Sequence, residues 1–173
     1  MPHIIKRETL FDSPWVKFIV KTMDTNDAYY CVQPSGYTAI IAFTQAGEII
    51  LVEQYRPAVE DIVIEFPAGT IEEGEEAADC ALRELLEETG YRAQVAEPLG
   101  WLYPDVGRLT NRIWGFVIRD AVLDPTYTPE VEITTHLIKP DDFTDMVAAG
   151  EFKSALHVAF WGMLLARRGI EKR

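Results

Sequence analysis

The sequence predicts an α/β or α+β fold, in which a mixed sheet is covered by helices. Three observations support this prediction. Apolar segments separated by short polar turns recur in the first part of the chain, which is typical of strands paired in hairpins. Residues 75–89 then carry apolar side chains at helical spacing. Two further helical patterns close the chain, at residues 141–149 and 154–168.

The strands are predicted from apolar runs and the turn residues between them. In chain order they comprise residues 15–21, 28–32, 37–44, 48–55, 62–66, 94–103, 112–119 and 130–138. The first two flank the polar stretch 24–27, and the next two flank Gln45-Ala46-Gly47, so each pair is predicted to form a β-hairpin. The second hairpin is rich in isoleucine and is expected to lie centrally in the sheet.

The helix boundaries are predicted from capping residues. Gly90 is well placed to end the helix at 75–89, because glycine readily adopts the left-handed conformation that follows a helix. Asp141 and Ser154 are candidate N-caps for the two later helices.

The composition is that of a globular protein with one main core. The 173 residues are 48% hydrophobic and 25% charged. The net charge of −12 would repel a phosphate backbone, so nucleic acid is not expected as a partner. We find no apolar signal segment at the N-terminus, no run long enough to span a bilayer and only two cysteines. We therefore expect a cytoplasmic protein with no membrane partner.

The helix at 75–89 is rich in acidic residues. Residues 72–88 include eight acidic side chains and one basic side chain, Arg83. At about 100° per residue, Glu84, Glu87 and Glu88 share one face of the helix. Like charges at this spacing repel one another, and a hard divalent cation such as Mg²⁺ would compensate them. Arg83 precedes Glu87 by four residues, so it can orient that carboxylate and leave the others free. This pattern predicts a metal site.

The acidic helix belongs to a longer motif. The spacing GX₅EX₇REUXEEXGU, in which U is a bulky aliphatic residue, is matched at Gly69, Glu75, Arg83, Glu84, Leu85, Glu87, Glu88 and Gly90. In these residues the sequence resembles the Nudix hydrolases, and it departs from the motif only at Tyr91. The resemblance implies a Nudix-type α/β/α sandwich with a mixed sheet over residues 36–173. Residues 1–35 would form an N-terminal β-hairpin extension.

The resemblance also implies a cofactor and a reaction. The cofactor would be Mg²⁺, with Mn²⁺ as the alternative, held by the backbone carbonyl of Ala68 and by Glu84 and Glu88. Glu87 would be a secondary ligand or would support the other ligands during catalysis. The implied reaction is hydrolysis of a pyrophosphate bond by water.

A segment late in the chain resembles the acidic loop that supplies the catalytic base. It reads Pro129-Glu130-Val131-Glu132-Ile133. Either Glu130 or Glu132 could deprotonate the attacking water. Alternation in a strand would place both side chains on one side.

The segment before the motif resembles the subgroup of ADP-ribose and ADP-sugar pyrophosphatases. It contains Gln54-Tyr55-Arg56, followed by Glu65-Phe66-Pro67-Ala68-Gly69. By this resemblance Arg56 and Glu65 contact the substrate, and a guanidinium suits a diphosphate because it forms planar paired hydrogen bonds. The leading substrate is the nucleoside diphosphate sugar ADP-ribose, which would yield AMP and ribose 5-phosphate. The alternatives are GDP-mannose, a diadenosine polyphosphate, a coenzyme, or a module that binds ADP-ribose without cleaving it.

Further substrate contacts are implied outside the motif. Trp15 and Tyr29 are candidates for stacking on adenine, and core packing is the alternative for both. Pro104 occupies the place of a substrate loop, and Arg108 or Arg112 would serve the distal phosphate or sugar unless they are surface residues. The resemblance also implies a homodimer with exchanged N-terminal strands.

Overall fold

The computed structural model describes residues 1–127 and 132–171, with side chains up to residue 167. The chain divides into two compact units. One comprises Met1–Gly36 and Trp101–Ile113, and the other comprises Tyr37–Gly100 and Trp114–Arg173. No helix in the described ranges is long and apolar enough to cross a membrane.

The first unit contains a three-stranded antiparallel sheet. Its strands, in spatial and chain order, are β1 (Ile4–Asp12), β2 (Val16–Met23) and β3 (Ala28–Pro34). The first predicted hairpin is confirmed as β2 and β3. Strand β1 was not predicted, and all nine of its residues are exposed, so the sequence there lacks the alternation that marks a half-buried strand.

The second unit is built around a mixed sheet of eight strands. Its strands are β4 (Tyr37–Thr44), β5 (Ile49–Arg56), β6 (Asp61–Glu65), β7 (Ala68–Thr70), β8 (Tyr91–Arg92), β9 (Glu97–Leu102), β10 (Ile113–Leu123) and β11 (Thr134–Ile138). The main order is β11-β5-β4-β10-β8, with β6 beside β5, β7 beside β4 and β9 beside β10. The second predicted hairpin, β4 and β5, is confirmed and lies in the middle of the sheet.

Three helices accompany the sheet, namely α1 (Ala77–Thr89), α2 (Pro140–Ala148) and α3 (Ala155–Glu171). Helix α1 ends as predicted at Gly90, which has a φ of 75° and donates its N–H to the carbonyl of Leu86. The buried face of α1 packs with Phe116 of β10. The neighbouring Gly115 lies against Phe160 of α3, where an added Cβ would come within 2.3 Å of the ring. Because adjacent residues of a strand face opposite sides, α1 and α3 cover opposite faces of the sheet.

Two predictions about local structure are wrong. The cap of α2 is Lys139 with Pro140 at the first helical position, and Asp141 lies inside the first turn, where its charge favours the positive end of the helix. The strand predicted from residue 130 begins at Thr134, so Glu132 lies in a turn before β11. The expected strand alternation therefore does not govern the direction of the Glu132 side chain.

Candidate active site

Strand β7 and helix α1 bring the predicted metal ligands together. The N–H of Ala68 donates a 2.9 Å hydrogen bond to Oε2 of Glu88. Gly69 lies directly against Glu84, since a Cβ added at Gly69 would come within 1.8 Å of Cδ of Glu84. Only a glycine allows this approach. We call Ala68, Gly69, Glu84 and Glu88 the carboxylate corner.

Arg83 organises the acidic residues around this corner. Its Nε and Nη2 donate to the two oxygens of Glu75 at 2.8 Å and 3.0 Å. Its Nη1 donates to Glu84 at 2.7 Å and to Glu87 at 2.8 Å. The prediction that Arg83 engages Glu87 alone is wrong, because the loop before α1 brings Glu75 within reach of the same guanidinium. The hydrogen bonds from Arg83 lower the pKa of Glu75 to about 2.

Burial shapes the protonation of the carboxylate corner. It raises the pKa of Glu84, opposed by the hydrogen bond from Arg83. It raises the pKa of Glu88 to about 7, opposed by the Ala68 N–H, and the nearby charge of Glu84 adds to the rise. Glu87, by contrast, is half exposed. Two partly buried carboxylates therefore lie close enough for the charge of Glu84 to disfavour the charged form of Glu88.

These residues fit a hydrated divalent cation. Such ions take carboxylate and carbonyl oxygens and retain several waters. The buried amide nitrogen of Gln54 lies beside the Glu88 carboxylate and counteracts the rise in its pKa, so the corner offers a further polar group to a water or ligand. Within residues 1–127 and 132–171, no three Asp, Glu, His or Cys side chains already surround one point. A cation here would therefore also need backbone oxygens and water.

A cavity of about 330 Å³ opens beside the carboxylate corner, with Ala68 and Gly69 in its wall. Arg56 and Glu65 also line it, and Nε of Arg56 donates a 2.6 Å hydrogen bond to Oε2 of Glu65. The two predicted substrate contacts thus lie together next to the predicted metal ligands. The positive charge of Arg56 also acts on the carboxylate corner, because it partly offsets the rise in the pKa of Glu88.

Of the two candidates for the catalytic base, the structure describes Glu132 and not Glu130. Glu130 lies outside the described residues. Glu132 is exposed and lines a second cavity of about 660 Å³. Gln54, the neighbour of Glu88, also lines this second cavity. One side chain of β5 therefore borders both the carboxylate corner and the surroundings of Glu132.

The remaining predicted substrate residues belong to the first unit. Trp15 is 78% exposed in the turn between β1 and β2, and the half-exposed Tyr29 donates its hydroxyl to the carbonyl of Gly107. Core packing, the alternative for both, is therefore wrong. Pro104 is partly buried and Arg108 is exposed in the segment before β10. The guanidinium of Arg112 stacks on the Trp101 ring at 4.2 Å from its centroid.

Sequence reasoning missed two residues around the site. Gln54 was not predicted as a site residue, although strand alternation places Gln54 and Arg56 on one face of β5. The apolar pattern of the last helix predicts that His157 packs in the core; the residue is 3% exposed, and it also lines the cavity beside Arg56. Its position in an apolar stretch of α3 gave no signal for this, because the cavity is formed by segments distant in sequence.

Comparison with known proteins identifies the family of this chain. Residues 34–158 match the model of the NUDIX domain. The ADP-ribose pyrophosphatase of Bacillus subtilis is 43% identical over 76 residues, which cover 44% of this chain and 41% of that protein. The ADP-sugar pyrophosphatase of Mus musculus is 46% identical over 67 residues, covering 38% and 31%.

A third relative is the methanol dehydrogenase activator of Bacillus methanolicus, which is 39% identical over 102 residues, covering 57% of this chain and 54% of that protein. The chain thus spans about half or less of the length of the curated relatives it matches. The solved structure of an ADP compounds hydrolase superposes with a TM-score of 0.77 at 20% identity, covering 99% of this chain and 95% of that chain. This likeness confirms the predicted sandwich fold. Since the family model covers well over half of the sequence, the chain belongs to the Nudix family.

Proposed function

We propose that the protein hydrolyses the pyrophosphate bond of a nucleoside diphosphate sugar with the help of Mg²⁺ or Mn²⁺. The leading substrate is ADP-ribose, and its products would be AMP and ribose 5-phosphate. One observation carries the proposal: the carboxylate corner and the cavity with Arg56 and Glu65 share the wall formed by Ala68 and Gly69. A diphosphate in this cavity would lie between a cationic side chain and a cation site.

Each residue of the site has a distinct role in the proposed reaction. Glu84, Glu88 and the carbonyl of Ala68 would hold the cation, which supplies positive charge to stabilise the negative charge that builds on the phosphoryl oxygens. Arg56 binds the diphosphate with its terminal nitrogens while Glu65 fixes the guanidinium through Nε. Glu87 completes the ligand set or supports it through Arg83.

Deprotonation of the attacking water is assigned to Glu130 or Glu132. The acidic segment that contains both residues supports this assignment, as does the cavity that Glu132 shares with Gln54. A glutamate is a suitable general base when it reaches the water directly or through one further water.

The choice of an ADP-sugar is supported by the relatives named ADP-ribose and ADP-sugar pyrophosphatase. We also propose a cytoplasmic homodimer with exchanged N-terminal strands, in which Trp15 or Tyr29 stacks on adenine while Pro104 and Arg108 contact the sugar side. The exposed apolar side chains of the first unit, such as Leu10, Phe11 and Trp15, support a partner surface there. Light scattering of the purified protein measures the oligomeric state.

A turnover screen tests the reaction. ADP-ribose, GDP-mannose, a diadenosine polyphosphate and a nucleotide coenzyme are each incubated with the protein and Mg²⁺, and products are separated by chromatography. We expect ADP-ribose to give AMP and ribose 5-phosphate, and chelation of the metal to stop the reaction. Faster turnover of another compound would reassign the substrate. Binding of ADP-ribose with no cleavage of any compound would favour a binding module.

A further inference from the structure

His157 is a buried histidine whose hydrogen bond to the described part of the chain is made through one ring nitrogen, Nδ1. It is 3% exposed and packs 5.6 Å from the Phe66 ring, centroid to centroid. Its Nδ1 accepts a 3.1 Å hydrogen bond from the N–H of Phe66. A ring nitrogen that accepts carries no proton, so the proton of the neutral imidazole lies on Nε2. The ring orientation is therefore fixed by the backbone of the strand connection that leads into the carboxylate corner.

The second nitrogen, Nε2, carries the ring proton and is therefore a potential donor. It makes no hydrogen bond to any described residue, although the ring lines the cavity beside Arg56. Burial and the charge of Arg56 lower the pKa of His157 to about 4, so the ring is neutral at pH 7 and Nε2–H persists. A donor in the lining of an open cavity is available to an acceptor that enters it.

Other groups in the cavity share this donor character. Arg56 and Tyr37, whose side chains carry N–H and O–H donors, line it. So does Ser154, which directly precedes the first turn of α3 and places the positive end of that helix dipole at the cavity. Glu65 is the acidic side chain of the lining and is paired with Arg56. An oxygen-rich anion is the ligand chemistry that complements this set.

We propose that Nε2–H of His157 donates a hydrogen bond to a phosphoryl oxygen of the bound diphosphate, beside Arg56. His157 is thus a substrate-binding residue that fixes how deeply the diphosphate enters the cavity. The assignment of the oxygen to a nucleoside diphosphate rests on the proposed function. The donor site itself does not, because inorganic phosphate presents the same oxygens.

Two substitutions separate this role from packing. His157→Asn keeps an acceptor near the position of Nδ1 for the Phe66 N–H and removes the Nε2 donor. His157→Gln extends an amide donor to the position of Nε2 and loses the acceptor. We expect the KM for ADP-ribose to rise about tenfold in His157→Asn and to stay within about threefold of wild type in His157→Gln, with kcat little changed in both. A packing role predicts the reverse order, and that order would overturn the proposal.

Calorimetric titration with inorganic phosphate makes the test independent of turnover. Wild type should bind phosphate about ten times more tightly than His157→Asn does. If the wild type cleaves no nucleoside diphosphate sugar, the proposed function fails, and this titration still decides the donor site. Equal affinity of the two proteins, or no phosphate binding by the wild type, would overturn it.

A measurement on the wild type covers the case in which a variant does not fold. In protein labelled with ¹⁵N-histidine, phosphate should shift the Nε2 resonance of His157 and slow the exchange of its proton with water. Resonances that stay unchanged at saturating phosphate would overturn the proposal.

Discussion

The side chains of Arg56 and Glu65 form an ion pair with a 2.6 Å hydrogen bond from Nε to Oε2. Glu65 is largely buried, whereas Arg56 keeps 41% of its side chain exposed. The pair therefore holds the guanidinium by its inner nitrogen and leaves the outer end accessible. This arrangement is the one expected for an arginine that receives a diphosphate.

Replacing Arg56 tests this geometry. Arg56→Lys keeps the charge but loses the planar set of donors, and an ammonium cannot hold Glu65 and a diphosphate at once. We expect the KM for ADP-ribose to rise at least about tenfold with a small change in melting temperature. Arg119→Lys, an exposed arginine on β10, is the matched control and should match wild type. An unchanged KM in Arg56→Lys would exclude a diphosphate contact.

Glu84→Gln tests the carboxylate corner. The substitution keeps the shape of the side chain but removes the negative charge that a cation requires. We expect turnover to fall at least about 100-fold while the melting temperature stays within a few degrees. The control is Glu76→Gln, because Glu76 is exposed and its side chain makes no cap hydrogen bond. Near-normal activity in Glu84→Gln would refute the metal-ligand assignment.

Gly69→Ala probes the same corner from the side of the strand. The new Cβ would overlap the carboxyl group of Glu84, which lies at the end of a flexible side chain and can move. We therefore expect the protein to fold but to lose activity about as strongly as Glu84→Gln does. Gly162→Ala in α3 is a suitable control, since an added Cβ there meets no atom within 4 Å. A Gly69→Ala protein with normal kcat/KM would show that the close packing of Glu84 is unnecessary.

The lowered pKa of His157 predicts that the stability of the protein depends on pH. Its pKa is lowered from 6.5 to about 4 in the folded protein, so the unfolded chain binds the extra proton between these values. The neutral His157 ring therefore makes its full contribution to the free energy of unfolding above about pH 6.5, and this contribution is lost as the pH falls towards 4. Asparagine does not titrate, so from pH 7 to pH 5 the wild type should lose on the order of 2 kcal/mol more unfolding free energy than His157→Asn. Urea unfolding at several pH values measures this difference, and parallel pH profiles for the two proteins would contradict it.

The sequence was most informative where function requires local spacing. The motif in α1 places Glu84 and Glu88 within one helical turn, so their shared face follows from helix geometry alone. Gly90 and the apolar pattern likewise predict where α1 ends and which side it buries. The hairpin of β4 and β5 is as local and was equally predictable.

What the sequence did not predict depends on segments distant along the chain. The cavity is formed where β4, β5, β6, β7 and the start of α3 meet, and no local sequence pattern indicates that these segments come together. Strand β1 is exposed throughout, so it lacks the alternation by which strands are identified. The short β7 has only three residues, too few for any periodicity. The contact of Arg83 with Glu75 depends on how the loop before α1 folds back.

The guanidinium of Arg83 links that loop to the helix at several points. Arg83 reaches the carbonyl of Thr70 and both oxygens of Glu75, and Glu75 in turn receives the N–H of Glu72. The loop and α1 should consequently open as one cooperative unit. Deuterium would then enter the Glu72 amide at a rate governed by the fraying of a whole helix, although this amide lies on an exposed connection that would otherwise exchange within seconds.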